Sequence, residues 1–268
     1  LEYALSAATV AVGWSGYFVN LLDNFGIHIP TALTVAAGTT PGVTSYFNLP
    51  AFLVVLIITW IISMGITQTK RVNDAMVIVK LLVIILFIAC TVWFIKPENW
   101  HPFSPYGWYS HQNGTAVGII PGASIVFFSF IGFDSVSSSA EETINPSKTL
   151  PRGILLSLII STILYFCMTL TMTGVVRYPV FRKYINAPVL AVLAKTGQSW
   201  LSIIVSIGAI LGMTTVILVQ LYGQARISYS MSRDGLFPKF FGQVDEKHQT
   251  PFKGTWFFGI ITSLGAGL

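Results

Sequence analysis

The chain has 268 residues, of which 53% are apolar and only 9% are charged, well below the roughly 25% charged residues of a soluble domain. This composition excludes a soluble globular protein and predicts an all-α, polytopic membrane protein in a lipid bilayer. The net charge of +5 would point to nucleic acid in a soluble protein. In a membrane protein the position of the charges indicates orientation instead, and we expect no nucleic-acid partner.

Apolar runs of membrane-spanning length recur along the chain, since about 20 helical residues cross a hydrocarbon core of roughly 30 Å. We place them, within a single transmembrane domain, near 1–22, 50–69, 75–95, 117–140, 152–176, 198–223 and 254–268. The first and last runs touch the chain ends without a polar flank, and no signal region opens the sequence. We therefore expect an internal piece of a longer protein.

The distribution of Lys and Arg predicts the orientation of these runs. If the run at 50–69 passes from outside to inside, nine of the 15 Lys and Arg residues fall in inner loops and five in outer loops, which is the bias of cytoplasmic loops. The loops at 70–74, 141–152 and 224–253 are then cytoplasmic, in a protein of the plasma membrane. An outer basic cluster at 177–183 opposes this bias.

The outer connections have features of a membrane interface. Trp93 lies at the outer end of the third run, and Trp100 and Trp108 follow it. All three suit an interfacial aromatic belt. Asn113-Gly114-Thr115 in the same loop fits a glycan acceptor, although the motif is common by chance. The segment 186–197 is periodic but too short to span, so we expect it to lie along the outer surface.

The third run, AMVIVKLLVIILFIACTVWF, contains one cation, Lys80. An ionisable group inside a membrane span is a functional candidate. The alternative is a lysine whose long stem reaches the inner interface, because Lys80 lies only about 9 Å of helix rise beyond Asp74.

The fourth run contains FFSFIGFDSVSSSA at 127–140, with Gly132 and Asp134 in its middle. A carboxylate there costs roughly 2.5 kcal/mol or more, so a lipid-facing helix does not explain it. The serines that follow could serve close helix packing, but packing does not explain Asp134 either.

The other interpretation is a helix that breaks around Ser129 to Gly132 and resumes at about Phe133, with Asp134 near the positive end of the second half-helix. Broken backbone at this depth survives only where it lines a cavity or is covered by protein. Transporters use the carbonyls and amides of such breaks to bind cations and anions, and a zwitterionic amino acid carries both charges.

Glu141 and Glu142 follow where this run meets the cytoplasm, near Lys148 and Arg152. They are either a solvated helix end or part of an inner-gate ion pair. We find no catalytic constellation, no metal-ligand spacing and no cofactor motif, so no cofactor is expected.

The stretch FFSFIGFDSVSSSAEETINPSKTLPRGI resembles the sixth-helix signature of amino acid permeases of the amino acid-polyamine-organocation superfamily, in particular the branch with cationic amino acid transporters and their bacterial relatives. AATVAVGWSGYFVNLL and TTVILVQLYGQARISYSMSRDGLFPKF agree with the same family in the right order. The resemblance implies a fold of five plus five inverted helices, of which the runs are helices three to nine, the last cut short.

The resemblance also implies site residues. The family binds the substrate carboxylate at a break in helix one, which is missing here, and the amine at the break in helix six. The amine site would then comprise the carbonyls of Phe128, Ser129 and Ile131 beside Gly132, with Phe128 and Phe130 as aromatic walls or gate. The family often has Tyr or another aromatic residue at the position of Phe130, so the role of Phe130 stays open.

By the same resemblance, Lys80 occupies the place of the sodium ion in sodium-coupled relatives, with Thr214 and Thr215 as oxygen neighbours. We expect a proton-coupled permease that carries a cationic or neutral amino acid by alternating access. A non-transporting amino acid sensor and a sodium-coupled symporter are the alternatives on this scaffold. A membrane enzyme with Asp134 and Glu141 or Glu142 as acid and base is the rival of another class.

Overall fold

The structure is a computed structural model that describes residues 2–36, 45–64, 69–112, 114–130, 132, 143, 145–184, 187–245 and 250–268. Its α-helices are α1 (Glu2–Asn24), α2 (Leu49–Ser63), α3 (Thr69–Thr91), α4 (Ile119–Val126), α5 (Pro146–Val175), α6 (Pro188–Thr196), α7 (Ser199–Arg233) and α8 (Phe252–Gly267). Short 3-10 turns cover Thr31–Leu33, Val92–Phe94, Pro97–Trp100, Phe127–Phe130, Tyr178–Tyr184 and Lys239–Gly242. A small antiparallel hairpin joins β1 (Ser110–Gln112) to β2 (Thr115–Val117).

Four helices in the described part of the chain are long and apolar enough to cross a bilayer: Glu2–Asn24, Asp74–Phe94, Pro146–Val175 and Trp200–Arg233. The predicted all-α, polytopic architecture is therefore confirmed. The observed bounds differ in places from the predicted runs. Helix α5 begins at Pro146 rather than near 152, because proline at the first helical position lacks an N–H that the helix would leave unpaired there.

The described residues form two compact units. The first contains the chain through Phe87 and from Gln198 onward, and the second contains Ile88–Gly197. In the first unit, α1 packs along α7 and α2 packs along α8. Small side chains of α1, among them Ala7, Ala8 and Ala11, meet larger aliphatic side chains of α2 and α7 in the core. Small residues let membrane helices approach closely.

A buried asparagine ties three helices of the first unit together. Asn48 is 2% exposed and caps α2, since its side-chain oxygen accepts a hydrogen bond from the Ala51 backbone N–H at 3.2 Å. The same oxygen accepts a bond of 2.7 Å from the Ser15 hydroxyl of α1. The Asn48 backbone N–H donates to the Gly267 carbonyl at the end of α8, at 2.8 Å. One residue thus satisfies polar groups of α1, α2 and α8 away from water.

In the second unit, the C-terminal end of α5 is held by the turn Pro97–Trp100. The Asn99 amide donates to the Gly174 and Val175 carbonyls at 2.6 and 3.2 Å, and the Lys96 backbone N–H donates to the Gly174 carbonyl at 2.9 Å. The Trp100 indole donates to the Thr173 hydroxyl at 3.1 Å. The bonds from Asn99 and Lys96 satisfy carbonyls that a helix end leaves without an intrahelical partner.

Because α2 packs closely on α8, we predict that adding a side chain at one glycine of α8 destabilises the protein. A Cβ atom on Gly259 would overlap the side chain of Thr59, which is fully buried. We expect Gly259→Ala to lower the free energy of unfolding by about 1–3 kcal/mol through overpacking. Thermal unfolding of the purified full-length protein measures the effect.

The matched control is Gly265→Ala on the same helix, where the nearest atom to an added Cβ is the Ala8 Cβ at 4.0 Å. That change should be neutral or slightly stabilising, because alanine favours helix over glycine. Equal melting temperatures for the two variants would contradict the packing of α2 against α8 described above.

Candidate functional site

Lys80 of α3 meets α7 in the first unit. Its Nζ donates to the Thr215 hydroxyl oxygen at 3.4 Å, and that hydroxyl in turn donates to the Gly212 carbonyl at 2.7 Å. Thr215 is buried, whereas Lys80 is half-buried. The lysine stem packs against α7 at Gly212, where a Cβ would lie in van der Waals contact, 3.5 Å from the Lys80 Cδ. The structure thus brings two of the residues predicted from the sequence together.

Thr214, the third residue of the predicted set, has other partners. Its hydroxyl oxygen accepts a hydrogen bond from the Trp14 indole of α1 at 3.0 Å, and its hydroxyl donates to the Ile210 carbonyl at 2.7 Å. Thr214 therefore joins α7 to α1, while Thr215 joins α7 to α3.

The surroundings of Lys80 contain no acidic partner within the residues that the structure describes. The ion pair found among the described residues lies elsewhere and joins Asp23, in the last turn of α1, to His28 on the loop that follows. An ammonium half-buried in an apolar span is costly without a counter-charge. The hydroxyl dipole of Thr215 is the polar partner observed for it.

In the second unit, the fourth apolar run stops being α-helical within its own length. Helix α4 ends at Val126 and a 3-10 turn covers Phe127–Phe130. Gly132 follows with φ +112°, a conformation open to glycine because it lacks a Cβ. The regular helix therefore ends earlier than the predicted break at Ser129 to Gly132, and the 3-10 turn contains Phe128, Ser129 and Phe130.

Tyr165 of α5 supports this helix end. Its hydroxyl donates to the Ser129 carbonyl at 2.8 Å, and its ring meets the Phe130 ring edge-to-face, with centroids 5.3 Å apart and planes at 88°. Phe128 is 40% exposed. A carbonyl oxygen has two lone pairs, so the Ser129 carbonyl can accept a second donor.

The other predicted site residues lie outside the described residues. They are Ile131, Asp134, Glu141 and Glu142. The predicted resumption of the helix at about Phe133 also lies there.

Comparison with known proteins decides the family. The family model described as amino acid permease matches residues 1–268. The chain belongs to the amino acid permease family.

This permease chain is similar in sequence to several named permeases and transporters. It is 50% identical over 264 residues to the branched-chain amino acid permease BcaP of Bacillus subtilis, covering 98% of the chain and 55% of that protein. It is 42% identical over 267 residues to the methylthioribose transporter of B. subtilis, covering 100% and 55%. It is 33% identical over 247 residues to the chloroplastic cationic amino acid transporter 9 of Arabidopsis thaliana, covering 91% and 42%.

The chain spans about half the length of these relatives. The relatives are permeases and transporters rather than enzymes. Together with the four apolar spanning helices, the family match identifies part of an integral membrane protein.

Two contacts of the permease chain were missed by the sequence analysis. They are the bonds from Tyr165 to Ser129 and from Trp14 to Thr214. A signal existed in both cases, because a tyrosine or tryptophan inside an apolar run usually finds a hydrogen-bond partner for its polar atom when buried. The identity of the partner depends on how the helices are arranged.

The contact of Tyr165 predicts the effect of removing its hydroxyl. Tyr165→Phe keeps the ring against Phe130 but loses the bond to the Ser129 carbonyl. We expect a loss of about 0.6–1.7 kcal/mol in the free energy of unfolding, the range of polar contacts between membrane helices. Tyr165→Leu, which also loses the aromatic contact, should cost about 0.5–1.5 kcal/mol more.

Denaturant unfolding of the full-length protein measures these differences. Tyr109→Phe is the control, since that hydroxyl contacts His111 at an exposed position where changes stay within about 0.5 kcal/mol. If Tyr165→Phe were as stable as Tyr109→Phe, the bond between α5 and the 3-10 turn would be refuted.

Proposed function

We propose that the protein to which this chain belongs carries amino acids across a membrane by secondary active transport. The observation that carries the proposal is the end of regular α-helix at Val126 inside an apolar run, followed by a 3-10 turn and a glycine of positive φ. Non-helical backbone at membrane depth is tolerated where it lines a cavity or is buried in protein. The family match and the names of the relatives support the same function.

The substrate ammonium group would bind at this helix end. Backbone carbonyls of Phe128, Ser129 and Ile131 are the proposed acceptors beside Gly132, and the rings of Phe128 and Phe130 are the proposed walls of the pocket. Tyr165 would hold the Ser129 carbonyl in place, since it already donates to it. The substrate carboxylate would bind outside this chain, in the first helix of the family fold.

Branched-chain amino acids are the substrates to test first. The 50% identity to a branched-chain amino acid permease exceeds the 33% identity to a cationic amino acid transporter. Methylthioribose is the second candidate, because a relative of that name is 42% identical. A thioether sugar lacks an amino group and would not need the carbonyl site.

Lys80 is the proposed proton-coupling residue, with Thr215 as its partner. A lysine can gain and lose a proton during a transport cycle, and the ammonium would occupy the space that a sodium ion needs. The proposal extends to rocking of helices around the site in alternating access. It also places Asp134, Glu141 and Glu142 in gating or structural roles, and the loops 70–74, 141–152 and 224–253 on the cytoplasmic side of the plasma membrane.

The test is uptake by the full-length protein in proteoliposomes, with labelled leucine, arginine and methylthioribose, with and without an acid-outside pH gradient. Leucine uptake that rises with the gradient supports proton-coupled transport of branched-chain amino acids. Preferred uptake of methylthioribose contradicts the amino acid proposal. Leucine binding without uptake under either condition supports a sensor instead, and a requirement for sodium contradicts the role of Lys80.

The hydrogen bond between Lys80 and Thr215 predicts the effect of two substitutions on coupling. Lys80→Met should reduce gradient-driven uptake by roughly 5- to 150-fold, the usual span of a coupling free energy, because the titrating group is lost. Exchange of leucine across the same membrane without a gradient should be reduced far less. Thr215→Val should shift the pH dependence of uptake, since it removes the oxygen that accepts from Lys80.

Thr214→Val is the matched control for Thr215→Val. It makes the same change one residue away, at a hydroxyl whose partners are Trp14 and Ile210. Its pH profile should follow that of the unmodified protein. Identical pH profiles for both valine variants, or full gradient-driven uptake by Lys80→Met, would refute the coupling role.

A further inference from the structure

A large open pocket lies in the second unit, apart from the helix end described above. Its volume is about 730 Å³. The walls come from the segment after α3, the C-terminal end of α5, the turn Tyr178–Tyr184 and helix α6. Nothing in the transport proposal uses it.

The pocket is rich in positive charge. Lys96, Arg177 and Lys195 line it, with Glu98 as its acidic member. All four side chains are exposed, and in the described part of the chain no salt bridge within 4 Å joins them to one another. The three cations are thus available to a bound anion.

These cations also oppose the usual charge bias of membrane proteins. They are three of the five Lys and Arg residues predicted for the outer side, where such residues are depleted relative to cytoplasmic loops. A ligand that uses them would account for their position.

The pocket lies where two membrane spans end. The span Asp74–Phe94 and the span Pro146–Val175 both terminate in it, since Phe94 and Val175 are lining residues. Trp93, beside Phe94, is 87% exposed, and exposed tryptophans at the ends of spans mark the headgroup level of a bilayer. The pocket is therefore at the depth of lipid phosphates.

Its frame is fixed by hydrogen bonds rather than by the charged side chains. The bonds from the Lys96 backbone and the Asn99 amide to the end of α5 hold one wall. On the wall formed by α6, Gly197 ends the helix with φ +71°, and Lys195 lies in the last helical turn. The three cations therefore belong to elements that hydrogen bonds hold in place.

We propose that this pocket binds the headgroup of an anionic phospholipid. The three cations contact the phosphate, and the apolar lining, including Phe94, Val180 and Ala191, contacts the glycerol and upper acyl region. A free anion would use the charges but not the apolar walls at this depth. The proposal is independent of the transported substrate and of Lys80.

The test uses the purified full-length protein in phosphatidylcholine nanodiscs that contain a small fraction of phosphatidylglycerol, with bound lipid counted by native mass spectrometry. Lys96→Gln combined with Arg177→Gln removes two pocket cations. Because each basic residue near an anionic surface contributes about 1 kcal/mol, the double variant should bind phosphatidylglycerol about 25-fold more weakly.

The matched control is Arg182→Gln combined with Lys183→Gln. It makes the same change of charge within the turn Tyr178–Tyr184, at two residues that do not themselves line the pocket. It should retain the lipid. Lys195→Gln is a second pocket variant in case the first fails to fold, and it should weaken binding about fivefold.

Three results would overturn the proposal. The first is equal loss of phosphatidylglycerol from the pocket variants and the control. The second is retention of the lipid by both. The third is displacement of the lipid by inorganic phosphate, which would show a site for soluble anions.

Discussion

The hydrocarbon core of a bilayer offers no hydrogen-bond partners, so polar groups at that depth must be satisfied by the protein. Regular helices satisfy their own backbone, and their hydroxyls bond to carbonyls of the preceding turn, as Thr171 does to Cys167. Where regular helix stops at Val126, the same constraint requires a donor from elsewhere, and Tyr165 supplies one at Ser129. A helix end in the membrane is therefore a place that attracts donors, and we propose that a substrate ammonium is one of them.

The same constraint gives adjacent residues of α7 different tasks. Thr214 satisfies the indole of Trp14, so it contributes to the packing of α1 on α7. Thr215 meets the ammonium of Lys80, so it contributes to the environment of a charge. Asn48 joins α1, α2 and α8 by hydrogen bonds, as Thr214 joins α1 and α7. Polar residues of the first unit thus have two kinds of role. Thr214 and Asn48 join helices, and Thr215 is the hydrogen-bond partner of a titratable side chain.

Much of the fold could be predicted from local patterns, because apolar length and loop composition are local properties. The all-α membrane architecture follows from them, whereas the permease family was predicted from the resemblance of a signature stretch. The resumption of the helix at about Phe133 stays a prediction, because it lies outside the described residues. The Asn113-Gly114 dipeptide was interpreted only as a glycan motif, although Asn-Gly between short strands is a hairpin signal. The partners of Thr214 and Tyr165 could not be predicted, because they depend on helix rotation. Nor could the meeting of Lys96, Arg177 and Lys195, which come from three separate elements.

The central claim is that carbonyls at the helix end recognise the ammonium group of the substrate. The most direct measurement is competition against uptake of the amino acid that the full-length protein transports, using the same molecule without its α-amino group. For leucine this analogue is 4-methylpentanoate, which keeps the side chain and the carboxylate. We expect it to compete far more weakly than unlabelled leucine. Equal competition would show that the ammonium is not recognised and would contradict the proposed site.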